Sequence, residues 1–82
     1  MEKIAVAVKV PALGNTYEFI VPSNMSVENA QKLMVRILSS EYGISNNSAG
    51  IMLFDMDDQT LLPPECKFEE LGIYDGAKLL MI

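Results

Sequence analysis

Two places in this chain carry residue types that could do chemistry: Cys66 beside Lys67, and the acidic turn Asp55-Met56-Asp57-Asp58. A cysteine acts as a nucleophile through its thiolate, which forms at neutral pH only beside a base or a positive site, and Lys67 is weak support for one. No histidine occurs among the 82 residues. That removes the commonest general base, the usual activator of serine or cysteine, and the commonest metal ligand. Cys66 therefore reads as a small packed side chain ahead of Phe68. The aspartates invite a calcium loop, but a loop starting at Asp55 puts Thr60 where glycine is needed and Cys66 where the bidentate glutamate belongs. They read as a solvated turn between two strands. Gly72 and Gly76 lack the surrounding lysine and hydroxyl residues of a phosphate loop and read as positions needing positive φ. The expectation is no catalytic residue, no metal and no cofactor.

What remains is binding through surface, which depends on the elements that aim the side chains. Lys3–Val10 alternates strictly, with Ile4, Val6, Val8 and Val10 on one face and Lys3, Ala5, Ala7 and Lys9 on the other, the mark of a half-buried strand. Pro11, Gly14 and Asn15 break it, and Thr16–Val21 resumes with Tyr17, Phe19 and Val21 on one face, giving a hairpin with a loop of about five residues. Ser26 is placed to cap a helix from Val27 to Tyr42, accepting the N–H of Glu28 or Asn29, and Gly43 is placed to end it. Along that helix Val27, Ala30, Met34, Ile37 and Leu38 form the apolar stripe, and Glu28 pairs with Lys32 on the opposite side. Ile44–Gly50 reads as a polar loop, Ile51–Phe54 as a short strand and Thr60–Leu62 as a brief one that Pro63-Pro64 ends. Phe68–Ile73 reads as a helical turn, and Leu79–Ile82 belongs to a closing strand. Met34 and Met81 read as core filler.

A hairpin, a helix and further strands build one mixed sheet with the helix across one face, the first and last strands lying parallel. This order resembles the ubiquitin-like β-grasp superfamily over the whole chain, residues 1–82, as one domain. The resemblance rests on Phe19-Ile20-Val21 leading to Ser26-Val27-Glu28-Asn29, and on Leu71-Gly72-Ile73 followed by Asp75-Gly76 and a final strand. It implies an α+β fold: a mixed four- to five-stranded sheet in β-β-α-β-β-β order with one main helix. Within the superfamily, Leu61-Leu62, Glu65-Cys66-Lys67-Phe68, Leu71-Gly72-Ile73, Asp75-Gly76 and Lys78-Leu79 look like the YukD family, small bacterial ubiquitin-like proteins of type VII secretion systems (EsaB is another member). That resemblance implies a cytoplasmic accessory subunit that works by protein contact, is not conjugated to targets, and brings no catalytic or ligand residues with it.

The period of two locates a candidate partner surface. If Leu79 and Met81 point inward, Leu80 and Ile82 point outward; the matching phase in the middle strand puts Ile51 and Leu53 inside and Met52 and Phe54 outside. Were those strands neighbours, Met52, Phe54, Leu80 and Ile82 would form one exposed apolar patch on the helix-free face, flattened at its edge by Ala5 and Ala7. A slip of one residue would instead bury Phe54 and Leu80.

Composition narrows the partner. Net charge is −5 and the six basic residues are scattered, which disfavours nucleic acid and an anionic membrane surface and suits a basic protein partner. No apolar run exceeds five residues against the roughly 20 of a membrane helix, Glu2-Lys3 leads straight into a strand rather than a signal peptide, and the single cysteine fits a reducing compartment. The expected setting is the cytoplasm. A homodimer through the outward apolar residues is the other partner reading. The competing functional reading is a ubiquitin-like sulfur carrier or modifier, which needs a flexible Gly-Gly tail. Here Met81-Ile82 reads as strand, so that chemistry would require residues following Ile82 in the natural chain.

Overall fold

The computed structural model describes residues 2–43 and 51–82. Five strands form one sheet: β1 (Lys3–Val10), β2 (Asn15–Pro22), β3 (Leu53–Asp55), β4 (Thr60–Leu61) and β5 (Ala77–Met81), in the order β2-β1-β5-β3-β4. β1 and β5 run parallel, from Val6 beside Ala77 to Lys9 beside Leu80. Every other pair is antiparallel. The helix α1 (Val27–Tyr42) lies across one face, and a 3-10 turn (Phe68–Leu71) precedes β5. The α+β architecture is the expected one. The segment Ile44–Gly50, read as a polar loop, lies outside the described residues.

The core is the inward face of the sheet against α1. Ile4, Val6, Val8 and Val10 from β1, Leu53 from β3, and Ala77, Leu79 and Met81 from β5 meet Val27, Ala30, Met34, Val35 and Leu38 from the helix. Phe68 from the 3-10 turn, Ile73 after it, Leu62 after β4 and Val21 of β2 also belong to the core, with Leu71 half-buried against it. Tyr17 and Phe19 are half-buried on the same side of β2, ahead of buried Val21.

The helix N-terminus is closed by the loop that follows β4. Val27 N–H donates to the Cys66 carbonyl at 2.9 Å and Glu28 N–H to the Pro64 carbonyl at 3.0 Å. Asn29 N–H donates to Ser26 Oγ at 3.2 Å, and Ala30 N–H to the Ser26 carbonyl at 3.0 Å. The N–H groups of Val27, Glu28 and Asn29, which the helix itself leaves unpaired, are thus engaged, and the Ala30 bond is the first within the helix. Gly43 ends α1 at φ +72°, a conformation that costs a residue with a Cβ, and its N–H donates to the Ser39 carbonyl.

Several features differ from the sequence expectation. The hairpin loop is Pro11–Gly14, four residues, because pairing starts one residue earlier with Val10 opposite Asn15. β3 is Leu53–Asp55 rather than Ile51–Phe54, since Asp55 still pairs with Thr60 and Leu79. Most informative is the helix stripe: Ile37 is 44% exposed and Val35, 1% exposed, takes its place. Val35 stands one turn on from Gln31, whose side-chain amide donates to the Ile51 carbonyl. That tether belongs with a roll of α1 toward the β3 side of the sheet, which carries Val35 in and Ile37 out.

Candidate protein-interaction face

Alternation along β3 and β5 puts two apolar pairs on the face away from α1. Phe54 sits opposite Leu80 in the antiparallel register, and Met52 and Ile82 exchange both backbone bonds, at 2.7 and 3.0 Å. Met52 and Ile82 are 46% and 56% exposed, while Phe54 and Leu80 are half-buried. The four residues thus form a surface with an exposed rim, Met52 and Ile82, and a lower floor, Phe54 and Leu80. The floor has depth: Phe54, Leu80 and Ile82 line an open hollow of about 390 Å³ together with Asp55, Met56 and Gln59.

Neighbouring strands extend this surface. Leu61 on β4, opposite Phe54, is exposed on the same side and was not anticipated from sequence, where its short strand ahead of two prolines carried no phase of its own. Ala5 and Ala7 on β1 are half-buried, so the surface is low there, as their size dictates. A second, smaller hollow of about 220 Å³ lies beside the first, lined by Ala7, Lys9, Thr16, Met56 and Lys78. Met56 borders both, held by its N–H donating to the Lys78 carbonyl at 3.0 Å. The face is therefore apolar at its β3–β5 end and carries two lysines toward β1.

The acidic turn forms the outer wall of this face, and its geometry is structural. Asp55 Oδ1 accepts the Asp57 N–H at 2.9 Å, an Asx turn, and Gln59 takes positive φ at 56° to close the tight return to β4. Asp57 Oδ2 accepts the Tyr74 hydroxyl at 3.0 Å. The hydrogen bond to Asp57 and the charges of Asp57, Asp55 and Asp58 raise the Tyr74 phenol above its ordinary value. Among the described residues no group of three or more histidine, cysteine, aspartate or glutamate side chains is arranged to hold a metal ion. Cys66 is partly buried and its backbone is built into the cap of α1, donating to the Pro63 carbonyl and accepting from Val27.

A further residue proved structural in a way local pattern does not show. Asp75 Oδ1 accepts the Ala5 N–H at 2.7 Å, and Gly76 N–H donates to the Ala5 carbonyl at 2.7 Å. The turn before β5 thereby fastens itself to β1 before the parallel ladder begins at Ala77. The contact spans 70 positions of sequence, beyond the reach of any periodicity argument.

No family model matches the chain, and no curated protein matches it. Solved structures do. The EccD5 ubiquitin-like domain from Mycobacterium xenopi superposes with a TM-score of 0.78 at 18% identity, over 100% of this chain and 94% of that one. The ubiquitin-like domain of an Arabidopsis thaliana protein gives 0.75 at 18% identity, over 100% and 78% of the two chains. A de novo design based on ubiquitin gives 0.70 at 15% identity, over 98% and 87%. Strand order, parallel β1–β5 pairing and these likenesses define the class of molecule: an α+β domain with the ubiquitin-like β-grasp fold.

Proposed function

We propose that this protein is a non-enzymatic ubiquitin-like interaction module whose partner docks on Met52, Phe54, Leu80 and Ile82, and that it serves as an unconjugated cytoplasmic accessory of a bacterial type VII secretion system. The observation that carries the interaction reading is the open apolar hollow at the β3–β5 end of the helix-free face. Apolar surface gathered into one concave patch is typical of partner sites on protein surfaces. Its occupant is a protein segment with one or two apolar anchors and a hydrogen-bonding or basic flank facing Asp55 and Gln59. No helix among the described residues is long and apolar enough to cross a membrane, which is compatible with an accessory working beside membrane machinery rather than within it.

The secretion assignment rests on the sequence resemblance to the YukD family. The EccD5 likeness, at 18% identity, speaks for the fold alone. Affinity capture with the tagged protein in its native bacterium, read by mass spectrometry, tests both levels. Cytoplasmic domains of the secretion machinery should be enriched, and Met52→Lys and Ile82→Lys should abolish the enrichment with the melting temperature unchanged. Enrichment of nothing from that machinery sinks the secretion assignment. Unfolding of both variants sinks the patch, since the side chains would then be core. The carrier or modifier reading would take over if intact-mass analysis of the natural gene product with its activating enzyme showed an adenylate or thiocarboxylate.

A further inference from the structure

The two edges of the sheet are unlike. β4 is two residues long and runs into Pro63-Pro64, a blunted edge of the kind that resists pairing. β2 is eight residues long, pairs with β1 in unbroken register from Pro22 to Asn15, and has no lysine, no bulge and no proline before its last position. Among the described residues no strand pairs with its outer edge. Ser23 N–H donates to the Glu2 carbonyl at 2.8 Å, and two-residue alternation then assigns the bonds to β1 to Val21, Phe19 and Tyr17. On β1 the intervening Ala5 points the other way, to Asp75 and Gly76, in agreement. The N–H and C=O groups of Thr16, Glu18 and Ile20 therefore face outward from the sheet, and among the described residues no hydrogen bond engages them.

Apolar side chains collect along the same edge. Ile20 is 68% exposed, the most exposed of the large apolar residues described. Phe19 is half-buried on the helix side. Leu33 and Ile37, one turn apart on α1, are also exposed, on the flank turned away from Gln31 and its tether near β3. That flank is the β2 side of the sheet, and the helix ends over β2, where the Tyr42 and Tyr17 rings meet at 4.9 Å.

We propose that the open edge of β2 is a self-association site, at which a second copy of this chain adds its own β2 antiparallel about a twofold axis through Phe19. The strand is self-complementary in that register. Glu18 lies opposite the partner's Ile20 and Ile20 opposite the partner's Glu18, and each pair exchanges two backbone bonds from groups that have no partner among the described residues. Phe19 meets the partner's Phe19 and Tyr17 meets the partner's Val21 on the helix side, where Leu33 and Ile37 flank the seam. The neighbouring register, centred on Glu18, would set two carboxylates face to face and is disfavoured. The contact is isologous and closes after two copies, giving a ten-stranded sheet with the blunted β4 edge at both ends. Because β2 and the β3–β5 hollow lie at opposite ends of the sheet, self-association leaves the partner face free.

Glu18→Pro isolates the edge. Among the described residues the Glu18 N–H makes no bond, so the substitution removes a donor left for the second copy and adds a ring that obstructs pairing. Sedimentation equilibrium of the wild-type protein should show a mass rising with concentration toward twice 9.1 kDa. The Glu18→Pro protein should stay at the monomer mass over the same range, with an unchanged circular dichroism spectrum. Amide hydrogen exchange gives a reading that needs no variant: the Glu18 and Ile20 amides should gain protection as concentration rises. A wild-type protein that remains monomeric, whether or not another strand can be made to bind, overturns the proposal. So does a dimer that survives Glu18→Pro, or one in which those two amides still exchange fast, because its interface then lies elsewhere.

Discussion

Tyr74 shows how much a single side chain can be committed on the surface of a small domain. Its hydroxyl donates to Asp57, so the neutral phenol is the form the folded state favours, and the acids of the same turn oppose the phenolate. A pKa raised on folding means stability that is fully present below the ordinary tyrosine value and is lost as pH rises through the folded value. Alkaline titration followed by phenolate absorbance should therefore show one tyrosine ionising above the ordinary range, and Tyr74→Phe should remove that component. If Asp57→Asn leaves it unmoved, the aspartate is not its cause. The same scale explains what sequence reading missed. Asp55, Asp57 and Asp58 were legible as turn residues because turn chemistry is local, whereas the bonds from Asp57 to Tyr74 and from Asp75 to Ala5 join residues 17 and 70 positions apart. Only the folded chain brings those groups together.

Elements were read more securely than their rotations. The periods of two and near four placed β1, β2, α1 and β5 and identified Ser26 and Gly43 as the helix ends, since capping depends on residues within one turn. Removing the Ser26 hydroxyl by Ser26→Ala should cost about 1 kcal/mol in urea unfolding, the usual worth of such a cap. Which flank of α1 faces the sheet was beyond the pattern: Val35 and Ile37 are both apolar, and the Gln31 tether to Ile51 separates them only in three dimensions. Two substitutions test the observed roll at concentrations low enough to keep the chain monomeric. Val35→Ala, emptying a fully buried site, should lower stability by roughly 2 kcal/mol, the worth of two methyl-sized groups with some residual cavity. Ile37→Ala should stay within about 0.5 kcal/mol, as surface changes do. The reverse ranking would mean that the stripe runs as the sequence alone suggests. The exposed Glu28–Lys32 pair, at 3.3 Å, adds only about 0.3–0.5 kcal/mol and does not decide the roll.

At the scale of the whole molecule, charge and sheet geometry together separate the two surfaces. Each chain carries a net charge of −5, so two copies approaching through β2 repel. The Phe19-centred seam offsets this with backbone bonds and apolar contact, and it contains no ion pair, because Glu18 faces Ile20. Salt should then strengthen self-association. Raising ionic strength from about 0.01 M to 0.1 M shortens the screening length from about 30 Å to 10 Å, which weakens repulsion between the two bodies and leaves short-range contact untouched. A basic partner on the helix-free face, drawn by the same negative field, should respond in the opposite sense and bind less tightly as salt rises. Sedimentation of the free protein at the two salt concentrations, set beside partner binding under the same conditions, reads both signs. A dimer that loosens as salt is added would depend on ion pairs. The Phe19-centred register, which has none, would then be the wrong arrangement of the two chains.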